Sequence, residues 1–249
     1  MALRHMMAGV VMIVIGRKEV LWCAGVMAVL LLVIVAVYPA ARPAWTPEIL
    51  SQPILILDAG HGGMDGGAVS SSGIVESDLN LEITKRLALL MVFCGQRIAM
   101  TRIDSEDLSS DDAATIREKK SSDLKNRVAA INSISIATLI SIHQNTIPGY
   151  PAVHGAQAFY NTQTGSAQLA AAVQEQLNRV RNINNEKLSK QIDTSIYLMN
   201  HVNCPAVLVE CGFLSNPAEA VELCTPKCQI QLVLAVAAGY LTYTSEGMS

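Results

Sequence analysis

Short, continuous apolar runs constrain the fold of this chain more than any other feature of its sequence. The three clearest are Ile54–Leu57, Ala137–Ile142 and Pro205–Val209. Runs of about four to eight apolar residues are typical of strands that are buried on both faces of a parallel sheet. Two further strands are predicted over 97–101 and 156–160.

Segments with helical periodicity separate these predicted strands. The first helix is predicted to run from an N-cap at Asp78 to about Phe93, with leucine and isoleucine side chains along one face. Further helices are predicted over 121–131, 166–180 and 229–243. Strands that alternate with helices of this length are typical of an α/β domain with helices on both faces of its sheet. No internal repeat is evident, so one domain accounts for this part of the chain.

The first fifth of the sequence contains an uncharged segment long enough to cross a membrane. Residues 20–41 carry no charge, and about 20 apolar residues span a hydrocarbon core. A signal peptide is the alternative, but its apolar region is typically about 7–15 residues long and precedes a small-residue cleavage site, for which this sequence offers no good match. We therefore expect a tail at 1–19, a transmembrane anchor at 20–41 and a proline-rich linker at 42–52.

Charges around the predicted anchor indicate its orientation. Arg4, Arg17 and Lys18 precede it, whereas Arg42 follows it. Because positive residues favour the cytoplasmic side, the tail is expected in the cytoplasm. The body of the chain is then expected on the external side of the cell membrane, held by a single span.

The charge balance of that body excludes one class of partner. Residues 49–249 contain 14 Lys and Arg against 19 Asp and Glu, a net charge of −5. Nucleic acids are bound through basic surfaces that neutralise phosphates. We therefore expect no nucleic-acid partner.

Polar residues follow three of the predicted strands. In an open α/β sheet, functional groups gather beyond the carboxyl ends of the strands, and here those ends lead to His61, His143 and Glu210. The loop after the first strand adds Asp65 and Glu76. Two histidines and a carboxylate form a common zinc set in hydrolases, which leaves one position for water, and a separate carboxylate then serves as general base. Spacing alone does not assign these roles, because each residue could instead be a polar side chain at a strand end.

Four sequence blocks in this part of the chain carry a resemblance to a known family. They are Leu57-Asp-Ala-Gly-His-Gly-Gly63, Ile74-Val-Glu-Ser-Asp-Leu-Asn80, Ser141-Ile-His-Gln-Asn145 and Val207-Leu-Val-Glu-Cys-Gly-Phe-Leu-Ser-Asn216. In this order they resemble the signature motifs of the zinc-dependent N-acetylmuramoyl-L-alanine amidases, the amidase-3 family. The resemblance covers residues 53–243, and it implies one catalytic domain with a mixed, mainly parallel sheet flanked by helices.

The resemblance also implies a reaction and a role for individual residues. The zinc (Zn2+) ligands fall on His61, Glu76 and His143, and the catalytic glutamate falls on Glu210. The implied substrate is peptidoglycan, and the implied reaction is hydrolysis of the amide bond between N-acetylmuramic acid and L-alanine of the stem peptide.

Two further stretches resemble a germination-specific, sporulation-linked branch of the same family. They occupy residues 117–127 and 196–202. This likeness implies that the enzyme prepares muramic δ-lactam in the spore cortex, in the space between the membranes of the developing spore. It also raises an accessory lipoprotein as a partner, and it leaves open whether zinc uptake or activity needs that partner.

Four more residues are candidates for supporting roles. Asp58 and Asp65 are expected to orient metal ligands, although either could simply hold the glycine-rich loop. Arg102 and Asn145 are expected to contact substrate, with a structural ion pair or a turn as the alternative.

Other hypotheses remain at this point. A catalytically silent peptidoglycan-binding scaffold on the same fold is the second; it would be marked by loss of the catalytic glutamate, and Glu210 is present. A third is a hydrolase that uses Cys211 as nucleophile with His143. This hypothesis assigns no role to His61 and Glu76, and a cysteine at a strand end is usually buried by packing. A phosphate-binding loop is disfavoured because no Lys-Ser/Thr pair follows the glycines.

Overall fold

The computed structural model describes residues 53–110 and 112–246. The predicted tail, anchor and linker, residues 1–52, lie outside the described residues. Within the described ranges, no single helix is long and apolar enough to span a bilayer. Two consecutive helices, Pro217–Leu223 and Pro226–Ser245, reach that length and composition only when taken together, and they are bent by 79° at the break between them.

The described part of the chain alternates between strands and helices, as predicted. The strands are β1 (Ile54–Ala59), β2 (Ile98–Met100), β3 (Ala137–Asn145), β4 (Gln157–Tyr160), β5 (Lys190–Gln191) and β6 (Ala206–Phe213). The helices are α1 (Glu76–Phe93), α2 (Ile116–Asn132), α3 (Ser166–Val180), α4 (Tyr197–His201), α5 (Pro217–Leu223) and α6 (Pro226–Glu246).

The strands form one mixed sheet in the order β2-β1-β3-β6-β4-β5. Neighbouring strands are parallel, except that β4 runs antiparallel to β6. The prediction of a mixed, mainly parallel sheet is therefore confirmed. Because β1, β3 and β6 are adjacent and parallel, their carboxyl ends meet at one edge of the sheet, where an α/β fold places its functional groups.

Alternate side chains of the central strands pack into apolar layers on opposite faces of the sheet. Leu57 and Val209 belong to a layer that is covered by α1, α3 and α6. Their neighbours Ile56 and Leu208 belong to a second layer, covered by α2 and α4. Because successive side chains of a strand point to opposite faces, a strand buried on both faces needs a continuous apolar run. Helices on both faces are thus confirmed.

Helix α1 begins earlier than the sequence predicts. Its N-cap is Val75, which makes no side-chain capping bond, and Asp78 lies in the first turn. A carbonyl of the preceding loop replaces the missing cap, because the Glu76 amide donates to the Ala68 oxygen at 2.9 Å. The prediction of Asp78 as N-cap is therefore wrong, and the tertiary contact places Glu76 at the first position of the helix.

Helix α2 also begins earlier than predicted. Its N-cap is Thr115, whose hydroxyl accepts from the Glu118 amide at 3.2 Å while the Glu118 carboxylate accepts from the Thr115 amide at 2.9 Å. This reciprocal pair is a capping box, and it has a readable Thr-x-x-Glu signature. The charged first turns lack an apolar face, so periodicity alone does not reveal them.

Strands β3 and β6 continue beyond the residues at which they were predicted to end. His143 pairs with Glu210, and Asn145 pairs with Phe213 after a shift in register. Both candidate residues therefore lie inside strands, beside an irregularity of the kind that re-aims side chains near active sites. Elements β5, α4 and α5 were not predicted, because each is too short to show a period.

Candidate metal centre

The chain leaves β1 in a glycine-rich turn that carries His61. The Gly60 amide still donates to the Ile142 oxygen of β3 at 3.1 Å, which fixes the start of the turn. His61 then has a φ of 62°, a left-handed conformation that is uncommon outside glycine. Two backbone bonds of 2.9 Å between Gly62 and Asp65 close the turn. The turn brings the His61 ring over the carboxyl edge of the sheet.

Glu76 reaches the same edge from the start of α1. Its side chain is buried, and both carboxylate oxygens are held by donors from neighbouring segments. Oε2 accepts from the Ala68 amide at 2.9 Å. Oε1 accepts from the Gln144 amide at 3.1 Å and from Asn80 Nδ2 at 3.3 Å. The carboxylate is therefore fixed before any ligand arrives.

His143 and Glu210 are neighbours on β3 and β6. Because they are register partners on adjacent parallel strands, their side chains project to the same face of the sheet. The next residue, Cys211, packs in the apolar core instead. Glu210 Oε2 is buried and has no hydrogen-bond partner among the described residues. Glu210 lines the cleft at the cluster, and one of its carboxylate oxygens is left without a hydrogen-bond partner in the described part of the chain.

His61, Glu76 and His143 converge on a single point. Glu76 Oε1 lies 3.3 Å from His61 Nε2 and 3.0 Å from His143 Nδ1. One ligand atom from each residue lies within 4.8 Å of the other two. Two imidazole nitrogens and one carboxylate oxygen are the donor set of many catalytic zinc sites, which keep one position open. The residues present therefore fit a zinc ion, with Glu210 beside the ligands rather than among them.

Two glycines of the loop pack so closely on this set that a side chain would displace it. A Cβ on Gly60 would lie 2.2 Å from the His143 ring. A Cβ on Gly67 would lie 2.5 Å from Glu76 Oε2 and 2.8 Å from His61 Cδ2. The loop therefore forms one wall of the metal position at a distance that only glycine permits.

Asp65 holds the ring of His61 from the side away from the cluster. Asp65 Oδ2 accepts from His61 Nδ1 at 2.9 Å, and Lys120 Nζ pairs with the same oxygen at 2.9 Å. An Nδ1–H that is bound in this way leaves the Nε2 lone pair free for a metal. Asp65 thus makes the contact that its predicted orienting role requires.

Arg127 of α2 ties the end of β1 and the His61 turn to the helix. Its side chain is 1% exposed. Nη1 donates to Asp58 Oδ1 and to the Ala59 oxygen, both at 2.8 Å. Nη2 donates to the His61 oxygen at 2.7 Å, and Nε binds Asp123. One guanidinium therefore fixes the backbone on both sides of Gly60.

Asp58 supports the site through this arginine rather than by touching a ligand. Besides Arg127, it accepts from Thr101 Oγ1 at 2.7 Å and from Ser141 Oγ at 2.6 Å. Burial alone would raise the pKa of Asp58, but the Arg127 charge and these two hydroxyls hold its pKa below the usual range. Asp58 therefore acts on the His61 turn through Arg127, and its role in orienting a metal ligand stays a prediction.

Burial and neighbouring charges shift the pKa values of Glu210, His61 and Glu76 in different directions. Burial raises the pKa of Glu210 to about 7. Burial would lower the pKa of His61, but the carboxylates of Asp65 and Glu76 raise it to about 9. For Glu76 the effect of burial is outweighed by hydrogen bonds from the two histidines, which hold its pKa well below the usual range. Glu210 is therefore the carboxylate suited to exchanging protons near neutral pH.

A cleft of about 360 Å³ opens over the cluster. Its floor includes the three candidate ligands and Glu210. Its walls come from α2, from the segment around Tyr197 and from the end of β3. A larger cavity of about 650 Å³ lies at the amino ends of the strands, lined by residues such as Pro53 and Tyr240, and it contains none of the candidate residues.

The two predicted substrate residues occupy different positions. Arg102 is buried and uses its donors on backbone oxygens, at 2.9 Å to Ala59 and 2.8 Å to Ser77, so it holds the glycine-rich loop. Asn145 lines the cleft, with Oδ1 accepting from the Thr146 amide at 2.8 Å. A substrate contact stays a prediction for both, and only Asn145 lies where one is available.

The structure disfavours the hypothesis of a cysteine nucleophile. Cys211 is 0% exposed, and burial raises the pKa of its thiol far above the usual range. A nucleophilic cysteine needs a lowered pKa and access to substrate. Cys211 has neither.

Sequence reasoning missed three residues that support the site: Asn80, Lys120 and Arg127. Each lies on a helix, and each reaches the site through a contact with a residue distant in sequence. The one local signal is the spacing of Asp123 and Arg127, an i, i+4 pair that binds within α2. That spacing is equally typical of an exposed ion pair, so it does not reveal a buried one.

These features define a class of protein. A mixed α/β sheet carries a His-Glu-His set at its carboxyl edge, together with an unpaired carboxylate of raised pKa, which is the arrangement of a metal-dependent hydrolase. The profile of the N-acetylmuramoyl-L-alanine amidase family matches residues 55–241. The chain belongs to that family.

Individual relatives agree with this assignment. The chain is 35% identical over 234 residues to the germination-specific N-acetylmuramoyl-L-alanine amidase of Bacillus subtilis (strain 168), an alignment that covers 92% of this chain and 97% of the relative. Among solved structures it resembles the CwlD amidase from Clostridioides difficile in complex with the GerS lipoprotein, with a TM-score of 0.74, 36% identity and coverage of 78% of this chain and 99% of that one. It also resembles an N-acetylmuramoyl-L-alanine amidase from Clostridium difficile 630, with a TM-score of 0.67, 28% identity and coverage of 78% and 97%.

Proposed function

We propose that this protein is a zinc-dependent amidase that hydrolyses the bond between N-acetylmuramic acid and L-alanine in peptidoglycan. One observation carries the proposal: the ligand atoms of His61, Glu76 and His143 lie within 4.8 Å of one another, and Glu210 stands beside them with an unpartnered oxygen. A binding scaffold gains nothing from a carboxylate oxygen that is buried without a partner, because such an atom costs stability.

The residues of the site divide the chemical work between them. His61, Glu76 and His143 would hold the zinc, and Asp65 keeps the Nε2 lone pair of His61 turned toward it. Zinc bound there would supply a Lewis acid for the scissile carbonyl and a water of lowered pKa. Glu210 accepts a proton from the attacking water and delivers it to the L-alanine nitrogen as that nitrogen leaves. A pKa of about 7 suits both transfers, because an efficient proton donor and acceptor has a pKa near the working pH.

We further propose a role in sporulation. The support is the 35% identity to a relative described as germination-specific. On this proposal the amidase strips stem peptides from N-acetylmuramic acid and leaves the free lactyl carboxylate, from which the muramic δ-lactam that germination requires is formed once a separate reaction has removed the acetyl group. The described structure of CwlD with the GerS lipoprotein supports a corresponding accessory lipoprotein for this chain.

The location is also a proposal. We place the catalytic domain outside the cytoplasm, on an uncleaved anchor formed by residues 20–41. The support is the length of the uncharged segment and the basic residues that precede it. Protease added to intact protoplasts should degrade the domain and leave a small membrane fragment; full protection of the domain would contradict the orientation.

The proposed reaction is tested by its products. Purified protein is incubated with intact peptidoglycan, with zinc and after chelation, and the soluble products are analysed by mass spectrometry. We expect free peptides that begin with L-alanine, and glycan strands whose N-acetylmuramic acid carries no peptide, only in the zinc-containing sample. Release of disaccharides or of shortened peptides would instead indicate a glycosidase or a peptidase.

A further inference from the structure

One buried amide side chain contacts all three segments that carry the candidate metal ligands. Asn80 lies one turn after Glu76 on α1 and is 0% exposed. Its Nδ2 donates to Glu76 Oε1 at 3.3 Å and to the Gly60 oxygen at 3.1 Å. Its Oδ1 accepts from Gln144 Nε2 at 3.2 Å. The start of α1, the turn after β1 and the end of β3 therefore meet at this one side chain.

Two of these contacts hold a residue that is next to a candidate ligand in sequence. Gly60 directly precedes His61, and Gln144 directly follows His143. The third contact is with a ligand carboxylate itself. A displacement of the asparagine amide would therefore change the spacing of all three ligands, although the asparagine is not one of them.

The acceptors at the metal site determine which way the Asn80 amide points. A carbonyl oxygen and a carboxylate can only accept hydrogen bonds, so the amide nitrogen must face Gly60 and Glu76. The amide oxygen then faces Gln144, which must present its own nitrogen. Gln144 Oε1 is consequently buried without a hydrogen-bond partner in the described part of the chain, which costs stability. The unpaired acceptor thus lies at the far end of the network, and the end at the metal site is satisfied.

The helix itself gains nothing from an asparagine at this position. Asn80 lies in the second turn of α1, where alanine or leucine would favour the helix more. Asparagine is favoured at caps and turns, where its side chain bonds to nearby backbone groups. The first amide of α1 is already bound to the Ala68 oxygen. The contacts of the side chain, rather than the stability of the helix, therefore account for this residue.

We propose that Asn80 is a positioning residue, which sets the spacing of the three zinc ligands before the metal binds. Glu76 Oε1 lies between the two imidazoles, 3.3 Å from His61 Nε2 and 3.0 Å from His143 Nδ1. Rotation of the carboxylate would carry this oxygen away from both rings, and the hydrogen bond from Asn80 opposes that rotation. The inference rests on the proposed function and deepens it, because it names a residue that sets the zinc affinity without binding zinc.

The test compares the zinc affinity of the full chain with that of Asn80→Ala by chelator competition. Partners that hold metal ligands in place are typically worth about 10–100-fold in metal affinity, so we expect zinc to bind at least about tenfold more weakly. Asn80→Leu puts an apolar side chain of similar branching in the same place. It should weaken binding at least as much, because it leaves no room for a water to replace the amide. Alanine and leucine both favour a helix more than asparagine does, so neither variant breaks α1.

Asn182 provides a matched control away from the metal centre. It is also 0% exposed. Its Nδ2 donates to the Ala156 oxygen at 2.8 Å and to Asn178 Oδ1 at 2.7 Å, and its Oδ1 accepts from the Ala156 amide at 2.8 Å. It therefore makes two donated bonds and one accepted bond, as Asn80 does. Asn182→Ala should lower the stability of the metal-free chain and leave the zinc affinity of the folded protein unchanged.

The stabilisation that zinc adds separates positioning from a purely structural role. A ligand that binds only the folded state raises the free energy of unfolding by an amount that depends on its Kd. Tenfold weaker binding reduces that gain by about 1.4 kcal/mol. In Asn80→Ala the gain on adding zinc, measured by urea unfolding, should be smaller by at least this amount. A purely structural role would lower stability equally with and without zinc, as we expect for Asn182→Ala.

The outcomes distinguish this inference from the function on which it rests. Unchanged zinc affinity in Asn80→Ala and Asn80→Leu, or an equal loss of affinity in Asn182→Ala, overturns the positioning role alone. An unmodified chain that binds no zinc overturns the proposed function, and the positioning role with it. An unmodified chain that binds zinc but releases no peptide from peptidoglycan overturns only the proposed reaction.

Discussion

Replacing Arg127 with methionine tests whether α2 supports the metal site through a buried charge. The side chain of Arg127 and that of Asp58 are each 1% exposed. Removal of the guanidinium leaves Asp58 and Asp123 without their cation, and it also removes a donor from the oxygens of Ala59 and His61. Breaking a buried ion pair by removing one partner costs about 3–5 kcal/mol.

That loss is large enough to measure by two methods. For a domain of this size, 1 kcal/mol corresponds to a shift in Tm of about 2–4 °C, so Arg127→Met should lower Tm by about 6–20 °C. Urea unfolding at pH 7 should give the corresponding loss in free energy of unfolding. Arg179→Met, which removes an exposed arginine, should cost no more than about 1 kcal/mol.

The pH dependence gives the sharper test. In the unmodified protein the pKa of Asp58 is lowered, so its charged form contributes stability above the unfolded pKa of 3.8, and that stability is lost as pH falls through the lower folded pKa. Without Arg127, burial raises the pKa of Asp58, and protonation relieves the unpaired charge. The stability gap between the two proteins should therefore shrink between pH 7 and pH 4. A gap below 1 kcal/mol at pH 7, or one that widens on acidification, would refute this reasoning.

Three further predictions follow from the geometry of the site. Gly60→Ala places a Cβ 2.2 Å from the His143 ring, so zinc affinity should fall by about 10–100-fold in a chelator competition; unchanged affinity would mean that the ring is not a ligand in this position. Cys211→Ala should keep at least half of the activity, and a drop beyond tenfold in a folded protein would revive the cysteine mechanism. Because the pKa of His61 is about 9, zinc binding at pH 7 should release about one proton, measured by calorimetry in buffers of different ionisation enthalpy; zinc affinity that does not weaken from pH 8 to pH 6 would count against this ligand.

The sequence predicts the sheet well because burial leaves a strong local pattern. Ile54–Leu57 and Pro205–Val209 are continuous apolar runs, and both lie in strands buried on two faces. The predicted start of α1 is wrong, because Val75 has no capping side chain and backbone carbonyls of the preceding loop serve the first helix amides instead. A rule that looks for a capping side chain cannot anticipate a backbone acceptor eight residues earlier.

In the candidate site, too, residues within the sequence motifs could be predicted, whereas residues that reach the site only through tertiary packing could not. The resemblance of four motifs implied the ligand set of His61, Glu76 and His143, and the structure brings those three residues together. It could not indicate Arg127, whose contacts with the site span more than sixty residues of sequence. The motifs also could not indicate that Arg102 donates its hydrogen bonds to backbone oxygens. Whether an arginine is buried depends on the packing of several segments.

The central claim is that Glu210 is the proton-transferring group and that the His-Glu-His cluster is the metal site. Its most direct test measures zinc content and peptide release together in Glu210→Gln and His143→Ala. We expect Glu210→Gln to keep its zinc and to lose about 10²–10⁴-fold in turnover, whereas His143→Ala loses zinc and activity together. Glu210→Gln that cleaves at nearly the original rate, or that loses its zinc, would contradict the assignment of Glu210, and near-stoichiometric zinc in His143→Ala would contradict the ligand set.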